Sequence, residues 1–318
     1  MSVEAELVAA IALDLALGDP RKMPHIVKMM GAAAAWMEPV ARRSIPNKKS
    51  AGVIAALSLI GASVFAAWGI IGVSSIVSIY LSVLVAVILL YQCVALRDLG
   101  DHAMNVYRVL DENDIIAARN NVAMMVGRDT ATLDEEGISR ACIESVAENL
   151  VDGITAPIFF AAIGGAVAAV AYKAASTLDS MFGHKNERYV DFGWASARID
   201  DVANFIPARL TPPVIALAAL ILGYNAPGSL AVWRRDGSKH ESPNSGQSEA
   251  AFAGALGIKL GGPRSYSGEV SENPFMGDGG YAPSKEKILE AVKLAYATSL
   301  IFAAIALVAR MAIVIFYA

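Results

Sequence analysis

Two charge-free runs, Ala51–Ile71 and Val73–Leu96, follow one another with a single glycine between them. A helix needs roughly 20 consecutive apolar residues to cross a bilayer. Each run is long enough, and the pair reads as a transmembrane hairpin over 51–96 that comes back to water at Arg97. Gly52, Gly61, Gly69 and Gly72 in these runs are expected to let neighbouring helices approach closely. A last apolar run, 291–318, is broken only by Lys293 near its start and by Arg310. Hydrophobic residues make up 55% of the 318, and charged ones only 18%. Soluble domains are nearer a quarter charged. The expected fold is therefore all-α: a polytopic integral membrane protein, one membrane-embedded domain over 1–318, with about four to six embedded helices.

Polar segments set the orientation. Between the first short apolar run and Ser50 stand Arg21, Lys22, Lys28, Arg42, Arg43, Lys48 and Lys49, against Asp19 and Glu38. Positive loops stay inside, so this loop is expected on the cytoplasmic face of the cell membrane, along with sizeable helical loops. The run Leu7–Leu17 is apolar except for Asp14 and is too short for an ordinary span. The turn signals Gly18-Asp19-Pro20-Arg21 and Pro24-His25 follow it, and should gather Asp14, Asp19, Arg21 and His25 at one helix end. A net charge of −4 offers no basic field to nucleic acid. Cys93 and Cys142 have no metal-ligand spacing and make no disulfide framework. The start, MSVEAEL, has no basic region of a cleavable signal.

The segment 97–152 reads as soluble and helical. Asp111-Glu112-Asn113-Asp114 is an acidic turn of helix-capping type, and Asp129 or Thr130 is expected to cap the helix that follows Gly127-Arg128. That helix carries Glu144, Glu148 and Asp152 at i, i+4, i+8. The spacing stacks three carboxylates on one face, where like charges repel. Something positive should face them, either a metal ion or basic side chains; a solvated acidic face is the alternative. Hard oxygen ligands of this kind suit Mg²⁺.

The stretch 172–211 is the most polar part of an apolar neighbourhood, with ten Asp, Glu, Lys or Arg residues. Charge kept between membrane-grade segments points to function. Within it Ile199, Val202, Ala203 and Ile206 form an apolar helical face expected to anchor the helix. Asp200, Asp201 and Asn204 lie opposite, flanked by Arg198, and Pro207 should end the helix. Gly164-Gly165 and Pro212-Pro213 suggest bent or re-entrant segments on either side. Residues 232–290 form a glycine-rich loop region. Glycine turns with Lys and Arg there can cradle phosphate, although turns alone explain such glycines equally well. GxxxxGK[ST] and a strand-borne GxGxxG are both missing from the sequence.

Taken together, these blocks resemble one family. Asp14-Leu15 through Gly18-Asp19-Pro20-Arg21 with Pro24-His25, Gly127-Arg128-Asp129-Thr130, Glu144 through Gly153 with Ala156-Pro157, Asn186-Glu187-Arg188-Tyr189 through Asp201 and Asn204, Ile206 through Thr211, Ser242-Pro243-Asn244, Glu249-Ala250-Ala251 and Leu260-Gly261-Gly262 are similar to the CobD/CbiB family of cobalamin biosynthesis. The resemblance implies a membrane-bound, ATP-using ligase, an adenosylcobinamide-phosphate synthase. It would join the corrinoid adenosylcobyric acid to an aminoalcohol phosphate through an amide. It also implies contact with membrane lipid and with other membrane-associated enzymes of cobalamin assembly. On that reading Glu144, Glu148 and Asp152 hold Mg²⁺. Glu148, Asp200 and Asp201 act on the reacting groups. Arg128, Lys173, Arg188, Arg198, Asn204, Arg209, Asn244 and His25 hold substrate or phosphate. Both acidic clusters are expected at one cavity on the cytoplasmic face. A transporter or a corrinoid-binding membrane subunit is the rival reading. The absence of charge in 51–96 and of an internal repeat weighs against a transporter.

Overall fold

The computed structural model describes residues 2–20, 23–184, 186–266 and 268–317; Arg21 and Lys22 lie outside them. Among the described residues the helices run, in chain order, α1 (Val3–Leu17), α2 (Ile26–Ser44), α3 (Lys48–Val77), α4 (Ile79–Tyr91), α5 (Leu96–Asp111), α6 (Ile115–Ala123), α7 (Glu135–Leu150), α8 (Ala156–Phe182), α9 (Trp194–Ile221), α10 (Ala226–Asp236), α11 (Ser245–Leu256) and α12 (Lys285–Tyr317). A π-helical turn, Val151–Thr155, joins α7 to α8. Strands β1 (Arg264–Tyr266) and β2 (Glu269–Ser271) pair as one antiparallel hairpin. Five helical stretches are long and apolar enough to cross a membrane: Lys48–Val77, Ile79–Asp111, Glu135–Phe182, Trp194–Ile221 and Lys285–Phe316. The all-α membrane fold is as expected. The glycine-rich 232–290 region is less loop-like than expected, because α10 ends within it and α11 crosses it.

The chain forms two compact units, the first of Met1–Ala95, Ala156–Asn204 and Ile305–Ala318, the second of Leu96–Thr155 and Phe205–Ala304. In the first, α3 and α4 form the expected hairpin, but the turn falls at Ser78, whose side chain caps α4 by accepting from the Tyr80 N–H at 3.2 Å. Ala34, Ala51, Ala55, Ala56 and Leu59 pack on Leu178, Phe182, Phe192 and Ala195. Small residues let α2, α3 and α8 come close. Among the four hairpin glycines only Gly52 makes a close approach, and to a loop rather than a helix: a Cβ there would lie 1.8 Å from the Phe192 carbonyl oxygen, whereas Gly61, Gly69 and Gly72 face open space. The outward faces of α3 and α4 expose Phe65, Trp68, Ile76 and Tyr80, as a helix bathed in hydrocarbon does.

α8 breaks midway. Gly165 adopts φ 63°, a left-handed conformation that favours glycine, and Gly164 is also non-helical. The Arg310 guanidinium donates to the freed Ala162 carbonyl at 2.6 Å, and its Nε lies 3.0 Å from Glu4. In an apolar setting such a break persists only where its carbonyls find donors.

α9 reverses one expectation. Val202 and Ile206 are exposed, and Asn204 is buried, accepting from the Tyr172 hydroxyl at 2.9 Å and donating to Asp200 at 3.0 Å. Ile199 still packs on the core, but Val202 and Ile206 turn outward while Asn204 turns inward, because lipid, unlike water, makes an apolar surface cheap to expose. Pro207 does not end the helix, which runs on through Pro207, Pro212 and Pro213. In the second unit the Thr211 hydroxyl donates to the Pro207 carbonyl at 2.8 Å and meets the Thr155 hydroxyl at 2.8 Å, all buried. Side-chain hydroxyls of this kind commonly support proline inside membrane helices.

The Gly52 contact gives a test. Gly52→Ala should cost about 1–3 kcal/mol by overpacking, read as a lower thermal midpoint in detergent, while Gly61→Ala should cost nothing.

Candidate active site

The second unit builds a buried ionic cluster from four separate segments. α7 is nucleated by Asp134, whose carboxylate accepts from the Gly137 N–H at 2.8 Å; neither Asp129 nor Thr130 is the cap. Asp114 caps α6 as expected of its acidic turn. Asp129 has a different task. Its N–H donates to the Ser265 carbonyl at 2.8 Å, and its carboxylate accepts from the Ser265 hydroxyl at 2.6 Å and the Gly268 N–H at 2.8 Å. The loop bearing Arg128 is thereby tied to the β1–β2 hairpin that bears Arg264.

Glu144 is almost fully buried, and its partners are basic. One carboxylate oxygen accepts from Arg128 at 2.6 Å and lies 3.3 Å from Arg264. The other accepts from the Gly261 N–H at 2.6 Å. Gly261 sits at φ 84° with the Pro274 carbonyl 2.3 Å from where a Cβ would be, so glycine is required. The glycine loop therefore presents its N–H to a carboxylate of the chain itself. Arg264 also lies 3.4 Å from Glu249, which is 1% exposed within the alanine-rich α11. Glu148, one turn after Glu144, accepts from the Ser245 hydroxyl at 2.9 Å. Arg128, Glu144, Glu148, Glu249, Arg264 and Tyr266 line a cavity of about 110 Å³.

The electrostatics follow from burial. Burial, then the neighbouring Glu144 and Glu148, push the Glu249 carboxyl well above the usual glutamate range, which favours its neutral form. Burial works against the Arg264 charge, but Glu144 and Glu249 outweigh it and raise that group further. Burial and Arg264 lower the His240 imidazole. Its Nδ1 accepts from the Ser242 N–H at 3.0 Å, which leaves the proton on Nε2, 3.8 Å from Glu249.

The expected residues divide as follows. Arg128, Glu144 and Glu148 meet in the cavity. Asp152 falls in the π turn, where the i, i+4 register of α7 ends, and is not among the lining residues. Among the described residues no group of three or more His, Cys, Asp or Glu is arranged to hold a metal ion. Arg209 and Asn244 meet at 3.3 Å in the same unit, the guanidinium lying 3.6 Å over the Phe205 ring. The other residues belong to the first unit, so the two acidic clusters stand in different units. There Arg188 is bound to Glu38 by two contacts of 3.1 and 3.0 Å, and Arg42 joins from the other side at 2.9 Å. Burial opposes the Glu38 charge, but the two guanidiniums hold its carboxyl below the usual range. Arg198 pairs with Asp201 at 3.1 Å near the surface. Asp200 and Asn204 join Tyr172, while Lys173 and His25 share a separate cavity. Asp14 is buried in α1, and Asp19 lies 3.4 Å from His25; Arg21 lies outside the described residues.

Reading the sequence alone assigns no site role to Glu249, which it names only within a resemblance block, nor to Arg264, His240 and Glu38. The available signal was a lone acid in an apolar run: Glu249 stands among Ser, Ala, Phe and Gly, where an unpaired charge would be costly.

The fold and this site define a polytopic α-helical membrane protein with a buried acid–arginine cluster. The family model described as CobD/Cbib protein matches residues 7–295. Three relatives carry the name Cobalamin biosynthesis protein CobD. That of Pelobacter propionicus is 44% identical over 301 residues, 95% of this chain and 93% of the relative. That of Geobacter metallireducens is 46% identical over 274 residues, 86% of each chain. That of Citrobacter koseri is 39% identical over 313 residues, 98% of each chain. The chain belongs to the CobD/CbiB family of cobalamin biosynthesis. No solved structure matches it.

Glu249 makes stability depend on pH in a defined direction. Its folded-state carboxyl titrates above its unfolded value, so the stabilisation is complete below about pH 4.3 and is lost as pH rises through the folded value. Glu249→Gln should flatten this decline, which for one proton reaches at most about 1.4 kcal/mol per pH unit. Unfolding midpoints of wild type and variant across pH 4–8 check it, and parallel curves would remove Glu249 as the titrating group.

Proposed function

We propose that the chain forms the amide bond between a propionate carboxylate of adenosylcobyric acid and the amino group of an aminoalcohol phosphate, giving adenosylcobinamide phosphate. Membership of the family across residues 7–295 supports this. The observation that carries it is the buried cluster of Arg128, Glu144, Arg264 and Glu249, of which Arg128, Glu144 and Glu249 stand in the motif blocks by which the sequence resembles that family.

A carboxylate is a poor electrophile. Its oxygen would attack the terminal phosphorus of ATP, releasing ADP and leaving an acyl phosphate. The amine lone pair then attacks the acyl carbon, the C–O bond to phosphate breaks, and one amine proton passes to a base. Arg128 and Arg264 are fixed guanidiniums suited to the charge on the transferring phosphoryl group. Arg209 with Asn244 offers a further anion contact. Glu148 is the base or metal carboxylate of this cavity; Asp200 and Asp201, in the first unit, are given no role in it. For Mg²⁺ the donors fit in one form only. The Glu144 oxygens are already engaged, so Glu148 would contribute the protein carboxylate, and water and phosphate oxygens would complete the shell, as Mg²⁺ commonly requires. When bound, Mg²⁺ would neutralise phosphate charge. The two-point contact of the exposed Arg188 with the buried Glu38 suits holding the 186–194 loop better than holding phosphate. The site would face the cytoplasm.

The detergent-purified full chain, given adenosylcobyric acid, aminopropanol phosphate, ATP and Mg²⁺, should yield the amide product by mass spectrometry. Glu148→Gln should lower turnover by about 10²-fold or more while the protein still inserts and folds. Corrinoid binding without product would instead favour a binding subunit, and solute movement into vesicles a transporter.

A further inference from the structure

In the block Gly127-Arg128-Asp129-Thr130 the arginine points into the buried cluster and the aspartate out of it. The Arg128 side chain is 9% exposed and lines the cavity, whereas Asp129 is exposed and is not among the lining residues. Strand β1 divides in the same way. Successive strand side chains alternate between faces, so Arg264 and Tyr266 share the cavity face and Ser265 takes the other. The two outward residues meet. One oxygen of the Asp129 carboxylate, Oδ2, accepts from the Ser265 hydroxyl at 2.6 Å and from the Gly268 N–H at 2.8 Å, and the Asp129 N–H donates to the Ser265 carbonyl at 2.8 Å. Arg128 and Arg264 thus reach Glu144 from segments far apart in sequence whose next residues are fastened to each other.

This latch has work to do. A lone two-stranded hairpin is at best marginally stable in water, and β1 and β2 are three residues each, so tertiary fastening decides where Arg264 lies. Inside the cavity each guanidinium turns an Nη toward Glu144, and the Nε–H groups of both arginines are buried with no hydrogen-bond partner among the described residues. A buried donor without a partner is destabilising, and a ligand oxygen removes that cost. Two unmatched Nε–H groups on the residues of one cavity wall suit an anion with several acceptor oxygens, and a phosphoryl group is such an anion. Their separation decides whether it can meet both.

We propose that Asp129 is a positioning residue of this site: by fastening Ser265 it sets the separation of Arg128 and Arg264, and with it the fit of the phosphoryl group between them. The identity of the anion rests on the function proposed above; the role of Asp129 rests on the latch. Asp129 acts from outside the cavity, through the two arginines. Misplacing a positioned group by about 1 Å can cost on the order of 10²-fold in rate, so loosening one wall of the site is felt in turnover before it is felt in stability.

The test measures amide formation, affinity for ATP with Mg²⁺ by titration calorimetry, and the thermal midpoint, all on the detergent-solubilised full chain. Asp129→Ala should lower kcat and weaken ATP binding, each by about tenfold, with the thermal midpoint unchanged. Asp129→Asn keeps an oxygen able to accept from both Ser265 and Gly268, and should retain most of both properties. Arg264→Met removes one group through which the latch acts, so adding Asp129→Ala to it should cost little more. Should Arg264→Met fold poorly, Ser265→Ala takes its place in the cycle, with the same lack of additivity expected. Wild-type kcat and ATP affinity in Asp129→Ala overturn the positioning role, and loss of turnover in Arg128→Met alongside leaves the proposed function standing. A fall in activity that follows a fall in thermal midpoint, and that asparagine does not restore, makes Asp129 a stabilising residue only and also overturns the role. Wild type that neither binds ATP nor forms the amide overturns the function and the positioning role together.

Discussion

The interaction on which the structure depends is the pairing of buried charge. A chain this apolar has little water inside it, and an isolated carboxylate or guanidinium there is destabilising by several kcal/mol. Three of the buried acids are accordingly held by more than one donor. Glu38 has Arg42 and Arg188; Asp236 has Arg235 and Lys239 at 2.7 Å and the Gly277 N–H at 2.9 Å. Glu144 has Arg128, Arg264 and the Gly261 N–H. In each case at least one partner is far away in sequence, Arg188 for Glu38, the Gly277 N–H for Asp236, and Gly261 with Arg264 for Glu144, so each knot fixes a distant segment as well as neutralising an acid. Removing one partner leaves the other charge exposed to a dry environment, which is why such knots specify a conformation more than they add net stability.

The membrane class and most helices were legible in the sequence because length without charge has few other solutions. Which face of a helix turns inward was not. The rule that apolar residues face the core holds against water, and α9 shows its reversal, with Val202 and Ile206 outside and Asn204 inside. The glycines fail as predictors for a related reason. Gly52 and Gly61 look alike in sequence, and only the position of the Phe192 carbonyl separates them. Pro207 reads as a helix end on propensity, yet α9 runs on through it to Ile221.

The candidate site was half legible. Glu144 and Glu148 announced themselves by spacing, and the need for a positive partner followed from their repulsion. Whether that partner is a metal or a side chain depends on residues more than a hundred positions away, Gly261 and Arg264, which no local pattern connects to them. The third carboxylate, Asp152, leaves the row because of a π turn, and nothing in Val151–Thr155 marks one beforehand. Glu249 was hidden by its surroundings: in an alanine-rich helix it looks like an ordinary surface acid until burial is known.

Charge counting in the cavity bears on what it can admit. Three carboxyl groups, Glu144, Glu148 and Glu249, face two guanidiniums, Arg128 and Arg264, and burial favours the neutral form of Glu249. The guanidiniums are already committed to Glu144. A bare phosphate drawing on Arg128 or Arg264 would strip Glu144 of its neutralising partners and be opposed by both carboxylates. A phosphate arriving with a cation brings the missing charge with it, so the two suit this cavity better together than either does alone. The same arithmetic gives Glu144 a role apart from the chemistry. It keeps two arginines ordered and oriented in a dry cavity until a stronger anion competes for them, and that preorganisation is what an electrostatic site needs in order to act on a developing charge.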